Sequence, residues 1–170
     1  SVNVATGDRA CAYRVHWHGH AYTGSIRFTP CKNATSYRAE LEGILGTLKT
    51  IEELPILTMH QTCDNKEAVN QVNKTLTPND MLSPEADIIL ACQKFRHSMK
   101  ASVNLQWIRG HQDKNKLYEN IPDEAQLNVD MDEVSKDTRV TDTPIPPAPL
   151  PGSGALPLIE GLPVTTKYKE

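Results

Sequence analysis

The stretch Trp107-Ile108-Arg109-Gly110-His111-Gln112 indicates how one end of the fold is built. Its first two residues close an alternating apolar run that begins at Val103, and this pattern predicts a β-strand that ends in a Gly-His turn. An acidic and amide-rich run over residues 124–134 follows and predicts the opening of a helix. A strand, a loop histidine and an acidic helix start together indicate a corner suited to phosphodiester cleavage.

The composition predicts one globular domain. The chain has 170 residues, of which 38% are hydrophobic and 23% charged. A formal net charge of −3 disfavours strong attraction to nucleic acid through bulk charge, so any such contact needs a local basic patch. No apolar run is long enough to cross a bilayer and no signal peptide is evident, so we expect no membrane association.

The cysteine pattern is typical of a reducing compartment. They are scattered and form no CxxC pair, which favours reduced, buried thiols over a disulfide framework. We therefore expect an intracellular protein of the cytoplasm or nucleus, not a secreted one. The four cysteines are Cys11, Cys31, Cys63 and Cys92.

The order of predicted elements is β-β-β-α-β-α-α-β-α. Residues 1–30 alternate as two or three antiparallel strands, and the later strands alternate with helices. This order predicts a mixed sheet with helices packed against it. The later predicted elements are a helix over 36–54, a strand over 56–63, a helix over 66–74, a helix that begins at 83–85, a strand over 103–108 and a helix over 128–136.

The two ends of the chain differ from this pattern. Residues 1–4 have the character of the middle or end of a strand, so we expect a fragment of a longer polyprotein with a truncated first strand. Residues 1–137 are predicted to form the domain, and 138–154 a proline-rich linker of extended, polyproline-like character. Residues 155–170 form a short terminal segment, predicted to be a small hairpin or a docking strand.

Three carboxylates occupy informative positions in this arrangement. Glu40 lies early in the first long helix, Asp64 follows a strand, and Asp132 lies near the start of the last helix. Such positions can converge at one edge of a mixed sheet, and grouped carboxylates prefer Mg²⁺ or Mn²⁺. Two such ions would support phosphodiester hydrolysis, with His111 moving protons.

Each of these residues also has a plainer interpretation. A lone Glu40 is more often a solvated surface charge, and Asp64 with Glu67 has the spacing of a helix cap. Asp132 could belong to a solvated acidic cluster with Asp130, and His111 could be an ordinary loop imidazole. Spacing alone therefore leaves both interpretations open.

The local sequences favour the catalytic interpretation. Four segments, in this order, resemble the motifs of the type 1 ribonuclease H family, and most closely those of ribonuclease H domains in retroelement polyproteins. The resemblance covers residues 1–136. The segments are Ser36-Tyr37-Arg38-Ala39-Glu40-Leu41-Glu42-Gly43-Ile44, Cys63-Asp64-Asn65-Lys66-Glu67-Ala68, Trp107-Ile108-Arg109-Gly110-His111 and Ala125-Gln126-Leu127-Asn128-Val129-Asp130-Met131-Asp132.

The resemblance implies an α/β, ribonuclease H-like fold with a mixed five-stranded sheet flanked by helices. It implies cleavage of the RNA strand of an RNA–DNA hybrid with two Mg²⁺ ions, beside a reverse transcriptase domain in the same polyprotein. Glu40, Asp64 and Asp132 match three metal-binding carboxylates, with Asp130 as the alternative to Asp132. His111 matches the mobile loop histidine.

Nucleic-acid contacts and the first carboxylate complete the expected site. We expect Asn65, Arg109 and Lys114 to contact the nucleic acid. Counting back from the second strand places Asn3 where the family has its first carboxylate, and an amide there lacks the charge that holds a shared metal.

The Asn3 substitution leaves two further hypotheses open. One is a catalytically inactive domain of the same fold that binds nucleic acid or braces a reverse transcriptase. The other, favoured less by the histidine-loop and last-helix motifs, is a relative of transposases and integrases.

Overall fold

The computed structural model describes residues 1–31, 35–52 and 54–146, and the backbone of Leu158–Ile159 and Leu162–Pro163; at Asn115 it describes the backbone alone. The main elements are β1 (Val2–Asn3), β2 (Asp8–Trp17), β3 (His20–Phe28), α1 (Ser36–Glu52), β4 (Thr58–Cys63), α2 (Lys66–Asn73), α3 (Ala86–Ser98), β5 (Ser102–Trp107) and α4 (Asp123–Thr141). Short 3₁₀ turns cover Asp80–Leu82, Gln112–Asn115 and Tyr118–Asn120.

The first three strands form an antiparallel sheet in the order β1-β2-β3. β2 and β3 pair from Arg9 with Phe28 to Trp17 with His20. The turn between them uses positive φ at His18 and Gly19, a conformation that matches the twist of a tight hairpin. The antiparallel strands predicted for the first 30 residues are confirmed.

β4 and β5 form a separate parallel pair. The pairing runs from Thr58 with Ser102 to Cys63 with Trp107, and α2 and α3 provide the crossover connection that parallel strands require. A mixed α/β architecture is therefore present. Through residue 146 it places five strands in two sheets, whereas one five-stranded sheet was expected. The two sheets stay apart because β1 contributes only two residues, so it does not extend between β2 and β4.

α1 carries the centre of the core. Thr35 caps its start by accepting a hydrogen bond from the Arg38 amide at 3.1 Å, and the helix ends at Glu52, close to the predicted end. Its apolar face packs with residues of α3 and both sheets. The largest fully buried side chains are Leu41, Leu48, Ile51, Ile88 and Cys92.

The cap of α2 and the start of α3 differ from the sequence prediction. α2 is capped by Asn65, whose side chain accepts from the Ala68 amide at 3.0 Å, so Asp64 is not the cap and its carboxylate is available for other contacts. α3 begins at Ala86 rather than near Ser83. Ser83 contributes its backbone carbonyl to the Ala86 amide, while its buried hydroxyl has no partner among the described atoms.

The end of the domain also extends beyond the prediction. α4 begins at Asp123 and continues to Thr141, past the expected end near Lys136. Beyond it, Ile145 pairs beside β3: its amide donates to Arg27 at 3.0 Å and its carbonyl accepts from Thr29 at 2.8 Å. These contacts attach the first part of the predicted proline-rich linker to the sheet.

The rest of that linker, over 147–154, lies outside the described residues. Within the terminal segment, Leu158–Ile159 (β6) pairs antiparallel with Leu162–Pro163 (β7). The thiols of Cys11, Cys63 and Cys92 are buried and that of Cys31 is half-buried, and all four are free, as expected. Among the described helices, none combines the length and apolar character needed to span a bilayer.

Candidate active site

Glu40 and Asp64 meet at the carboxyl end of β4. Glu40 lies one turn into α1, and Asp64 directly follows β4. One side-chain ligand atom from each of Glu40, Cys63 and Asp64 lies within 4.8 Å of the others. The Cys63 thiol donates to Glu40 Oε2 at 3.8 Å. The carboxyl end of the parallel pair and the first turns of α1 therefore share one corner of the molecule.

α4 and the loop after β5 bring the other two predicted residues to this corner. Asp132 lies on α4, and His111 Nδ1 is 3.8 Å from its Oδ2. His111 adopts a left-handed backbone with φ +53° and its side chain is 59% exposed. An exposed imidazole beside a carboxylate can exchange protons with solvent and with a bound substrate. Glu40, Asp64 and Asp132 are called the acidic cluster below.

The charges in the acidic cluster act on one another. Burial raises the pKa of Glu40 to about 7, the negative charges of Asp64 and Asp132 add to this effect, and the α-amino group of Ser1 opposes it. Burial, followed by the charge of Asp64, also raises the pKa of Asp132, which Lys136 and His111 oppose. Raised carboxyl pKa values mean that the ionised cluster is electrostatically unfavourable by itself, so a cation would stabilise it.

The donor atoms fit a hard divalent cation. The cluster offers carboxylate oxygens, which Mg²⁺ and Mn²⁺ prefer. Cys63 is a poor metal ligand because burial, and then the charge of Glu40, raises the pKa of its thiol well above the usual range. The arrangement therefore favours an oxygen-ligated ion over a thiolate-ligated one.

Asp64 is positioned by three neighbours. The Trp107 indole donates to its backbone carbonyl at 2.9 Å, and the Asn128 amide donates to its Oδ2 at 3.2 Å. The backbone of Gly110 packs directly against the carboxylate, so a Cβ at residue 110 would collide with Oδ2. The Lys66 ammonium lies 5.6 Å from the centre of the Trp107 ring, beside the same corner.

Some of these supporting residues could be predicted in part from local spacing. Asn128 precedes Asp132 by four positions, a spacing that places both on one face of a helix. Its hydrogen bond to Asp64 was not expected. The contact of Gly110 with Asp64 and that of Cys63 with Glu40 join separate elements, so no local pattern could indicate them.

The structure places Asn3 away from the acidic cluster. Its side chain accepts from the Ala5 amide at 3.1 Å in the turn after β1, and its pairing partner is Asp8 at the start of β2. Ser1, which exchanges two backbone hydrogen bonds with Ala10, lines the cavity beside Glu40 instead. The expected register is therefore displaced: Ser1, directly before β1, is the residue that lies beside the cluster.

Asp130, the alternative to Asp132, has other partners. It forms an ion pair with Arg14 at 3.1 Å and accepts from the Tyr118 hydroxyl at 2.8 Å. Asp132 lines the cavity, and Asp130 is not among the lining residues. Of the two, Asp132 is the one beside Glu40 and Asp64.

The three residues predicted to contact nucleic acid border this corner in different ways. Asn65 follows Asp64 and is committed to capping α2. Arg109 is exposed, and its backbone carbonyl accepts from the Gln112 side chain at 2.8 Å. Lys114 is exposed in the 3₁₀ turn that follows His111. The two cations stand at the histidine loop, where they can approach a polyanion.

A cavity of about 550 Å³ adjoins the acidic cluster. It extends between β2 and β4 and is called the interstrand cavity below. Glu40, Asp132 and Asn128 line one end of it, and apolar side chains such as Val15, Ile44 and Met131 line its length.

The sequence matches no known family model and no curated protein sequence. Among solved structures, the fold is similar to the N-terminal RNase H domain of Rv2228c from Mycobacterium tuberculosis, determined as a fusion with maltose-binding protein. The identity is 16%, the match covers 78% of this chain and 91% of that chain, and the TM-score is 0.44.

Proposed function

We propose that this chain is a metal-dependent endonuclease that cleaves the RNA strand of RNA–DNA hybrids by two-metal-ion phosphodiester hydrolysis. The observation that supports this proposal most strongly is the meeting of Glu40, Asp64 and Asp132 at one corner, where burial and the neighbouring carboxylates raise the pKa of Glu40 and of Asp132. The four sequence motifs, which contribute these three residues and His111, supply the ribonuclease H assignment. They also underlie the proposed setting, an intracellular retroelement polyprotein that includes a reverse transcriptase.

The acidic cluster would hold Mg²⁺ or Mn²⁺ through Glu40, Asp64 and Asp132. When bound there, a pair of such ions would supply the charge that activates water and stabilises the leaving oxygen. The protein supplies the position of the ligands. Asn128 and Gly110 fix the orientation of the Asp64 carboxylate through the contacts described above.

His111 would handle protons at the edge of the cluster. Its exposure gives the imidazole access to solvent, and its Nδ1 lies 3.8 Å from Asp132 Oδ2 at the edge of the cluster. A protonated His111 can donate to a leaving oxygen, and the neutral ring can accept a proton afterwards.

The hybrid would be positioned through its backbone phosphates. Arg109 and Lys114 are exposed cations beside His111, and the Asn65 side chain lies next to Asp64. Contacts of this kind fix the register of a duplex without reading its sequence. They also provide local positive charge in a chain whose formal net charge is −3.

Cleavage of a labelled RNA–DNA hybrid in Mg²⁺ tests the proposal. We expect Glu40→Gln and Asp64→Asn to abolish cleavage while thermal unfolding stays cooperative. Glu52→Gln is the matched control, because Glu52 is exposed at the far end of α1 and should leave cleavage unchanged. Full activity in both cluster variants would reject the assignment.

An inactive domain that binds nucleic acid or braces a reverse transcriptase is the second candidate. The observation that favours it is Asn3 itself, an uncharged amide that does not line the interstrand cavity and whose side chain accepts from the Ala5 amide instead. This candidate predicts hybrid binding by fluorescence anisotropy without cleavage. A charge-restoring substitution belongs at Ser1, which lines the cavity, so Ser1→Asp should raise cleavage and Asn3→Asp should not.

A further inference from the structure

The histidine loop, which joins β5 to α4, is long and mostly exposed. Its near end is fixed where the Gly110 backbone packs against the Asp64 carboxylate. Its far end is fixed at Ile121, which is 4% exposed and lies just before α4. Every described side chain from 113 to 120 is exposed, so burial does not hold this part of the chain in place. Its position therefore depends on polar contacts with the rest of the molecule.

Tyr118 makes such a contact. Its hydroxyl donates to Asp130 Oδ1 at 2.8 Å, which connects the 3₁₀ turn Tyr118–Asn120 to a point about two turns into α4. Among the described side chains of 112–120, this is the only one with a hydrogen bond to a residue outside the loop. The bond to Asp130 is the main cause that raises the pKa of the Tyr118 hydroxyl, so this group remains a donor at neutral pH.

Asp130 is itself held from the sheet. Its Oδ2 forms an ion pair with Arg14 Nη1 at 3.1 Å, and Arg14 Nε donates to Thr23 Oγ1 at 3.0 Å. The side chains of Arg14 and Asp130 are only 25% and 32% exposed, so both are partly shielded from water. A hydrogen bond to an ionised acceptor of this kind is stronger than one to a neutral acceptor. The tyrosine is thereby connected through α4 to both β2 and β3.

We propose that Tyr118 is a positioning residue, which tethers the histidine loop to α4 and so keeps His111 at the acidic cluster. His111 Nδ1 lies 3.8 Å from Asp132 Oδ2, and Asp132 follows Asp130 closely on the same helix. α4 therefore holds the loop at Asp130 and presents a carboxylate to the imidazole at Asp132. The role at His111 rests on the proposed nuclease function, whereas the tether itself does not.

Removing the hydroxyl bond would lengthen the free part of the loop. With the bond, the free segment is 111–117; without it, the segment continues to the buried Ile121. A longer free segment has more arrangements available, so a smaller fraction of molecules holds His111 at the acidic cluster. Arg109 precedes this segment, so its approach to the hybrid depends less on the tether.

Limited trypsin digestion tests the tether without requiring nuclease activity. Lys114 and Lys116 are exposed within the loop, so nicking after them reports how often the loop opens. Tyr118→Phe removes only the hydroxyl, and we expect it to speed this nicking about 2–10-fold, the factor that one hydrogen bond contributes to an equilibrium. Cleavage after Lys94, inside α3, requires that helix to unfold and should keep its rate. Tyr22→Phe is the matched control, because Tyr22 is 40% exposed on β3, close to the 44% of Tyr118.

Steady-state cleavage of the hybrid tests the role of the tether at His111. We expect Tyr118→Phe to lower kcat about twofold or more, with a smaller change in KM, because fewer molecules have the imidazole in place while Arg109 is unaffected. In a His111→Ala background the same substitution should leave kcat unchanged. A positioning residue has no further effect once the residue that it positions is gone, so the two effects are not additive.

The outcomes separate the tether from the nuclease function. Loop nicking in Tyr118→Phe equal to that in Tyr22→Phe would overturn the inference, and so would a parallel rise in cleavage after Lys94 with a lower Tm. Faster nicking with unchanged kcat, or an equal fall of kcat in the His111→Ala background, would also overturn it. If the unaltered protein cleaves no hybrid, the proposed function fails, and trypsin digestion still decides whether the tether exists.

Discussion

The Asn128 side chain donates to Asp64 Oδ2 at 3.2 Å, and this bond ties α4 to the carboxyl end of β4. Asn128 has no charge of its own to contribute to the cluster. It fixes the direction of a carboxylate that would otherwise be free to turn toward solvent. The orientation of Asp64 therefore depends on an element far away in the sequence.

Removing this bond should weaken the site without unfolding the protein. We expect Asn128→Ala to lower hybrid cleavage or Mg²⁺ affinity about 10–100-fold, the usual cost of losing a residue that orients a metal ligand. Calorimetric titration with Mg²⁺ and a cleavage assay measure the two effects. Asn70→Ala, on the exposed side of α2, is the control and should change neither. Unaltered Mg²⁺ binding and cleavage in Asn128→Ala would show that the bond is dispensable.

Gly110 should tolerate no side chain. A Cβ at this position would collide with Asp64 Oδ2, so Gly110→Ala must displace the carboxylate or the loop that carries His111. We expect Gly110→Ala to reduce cleavage at least as strongly as Asn128→Ala does. Gly43→Ala is the matched control, because its added Cβ meets no atom closer than 3.7 Å and alanine favours the helix. Equal activity of the two alanine variants would contradict the observed packing.

The raised pKa of Glu40 predicts how stability depends on pH. The pKa of Glu40 is about 7 in the folded protein and 4.5 for an unperturbed Glu, so the folded protein binds more protons between these values. Stability is then lost as pH rises through this window, by at most about 1.4 kcal/mol per pH unit. Glu40→Gln removes that loss.

The measurement is urea unfolding of both proteins from pH 4.5 to 8 in EDTA. The advantage of Glu40→Gln over the wild type should grow with pH and level off above about pH 7. Mg²⁺ should stabilise the wild type, most at high pH, and leave Glu40→Gln nearly unaffected. A constant difference between the two proteins across the range would disprove the predicted titration.

A buried ion-pair network beside the site should contribute strongly to the free energy of unfolding. Glu42 lies 3.3 Å from Arg9 and 3.5 Å from Arg38, and Arg38 also forms two hydrogen bonds to Asp87. Glu42→Ala would leave the buried Arg9 without its carboxylate, so we expect a loss of about 3–5 kcal/mol in the free energy of unfolding. Chemical denaturation measures it, with the exposed Glu52→Ala as control. A loss below about 1 kcal/mol, typical of an exposed pair, would be inconsistent with the network.

Local patterns in the sequence predicted most of the elements. The 3.6-residue period of α1 and the short apolar runs of β4 and β5 depend on neighbouring residues alone, so their positions agree with the structure. The end of α4 was placed too early because its last turns carry few apolar residues, although buried Thr138 packs there.

Long-range relationships were harder to predict. The acidic cluster was anticipated from the element ends that carry Glu40, Asp64 and Asp132. The register of β1 was not anticipated, because the pairing of Asn3 with Asp8 depends on the turn between them. As a consequence of this pairing, Ser1 lines the cavity. Asn65 and Asp64 are both residue types that can cap a helix, so the sequence alone could not show that Asn65 is the cap of α2.

The ion pair between Arg14 and Asp130 has a consequence for helix rotation. Asp130 is held toward β2, whereas Asn128 and Asp132 lie on the face of α4 that meets Asp64 and His111. Successive residues are turned by about 100°, so one inserted residue between Asp130 and Asp132 would swing the carboxylate out of the corner while the ion pair stayed in place. The ion pair thus sets the rotation of α4 about its axis and couples its two faces. An insertion or deletion within the helix should therefore disrupt the site far more than one in the preceding loop.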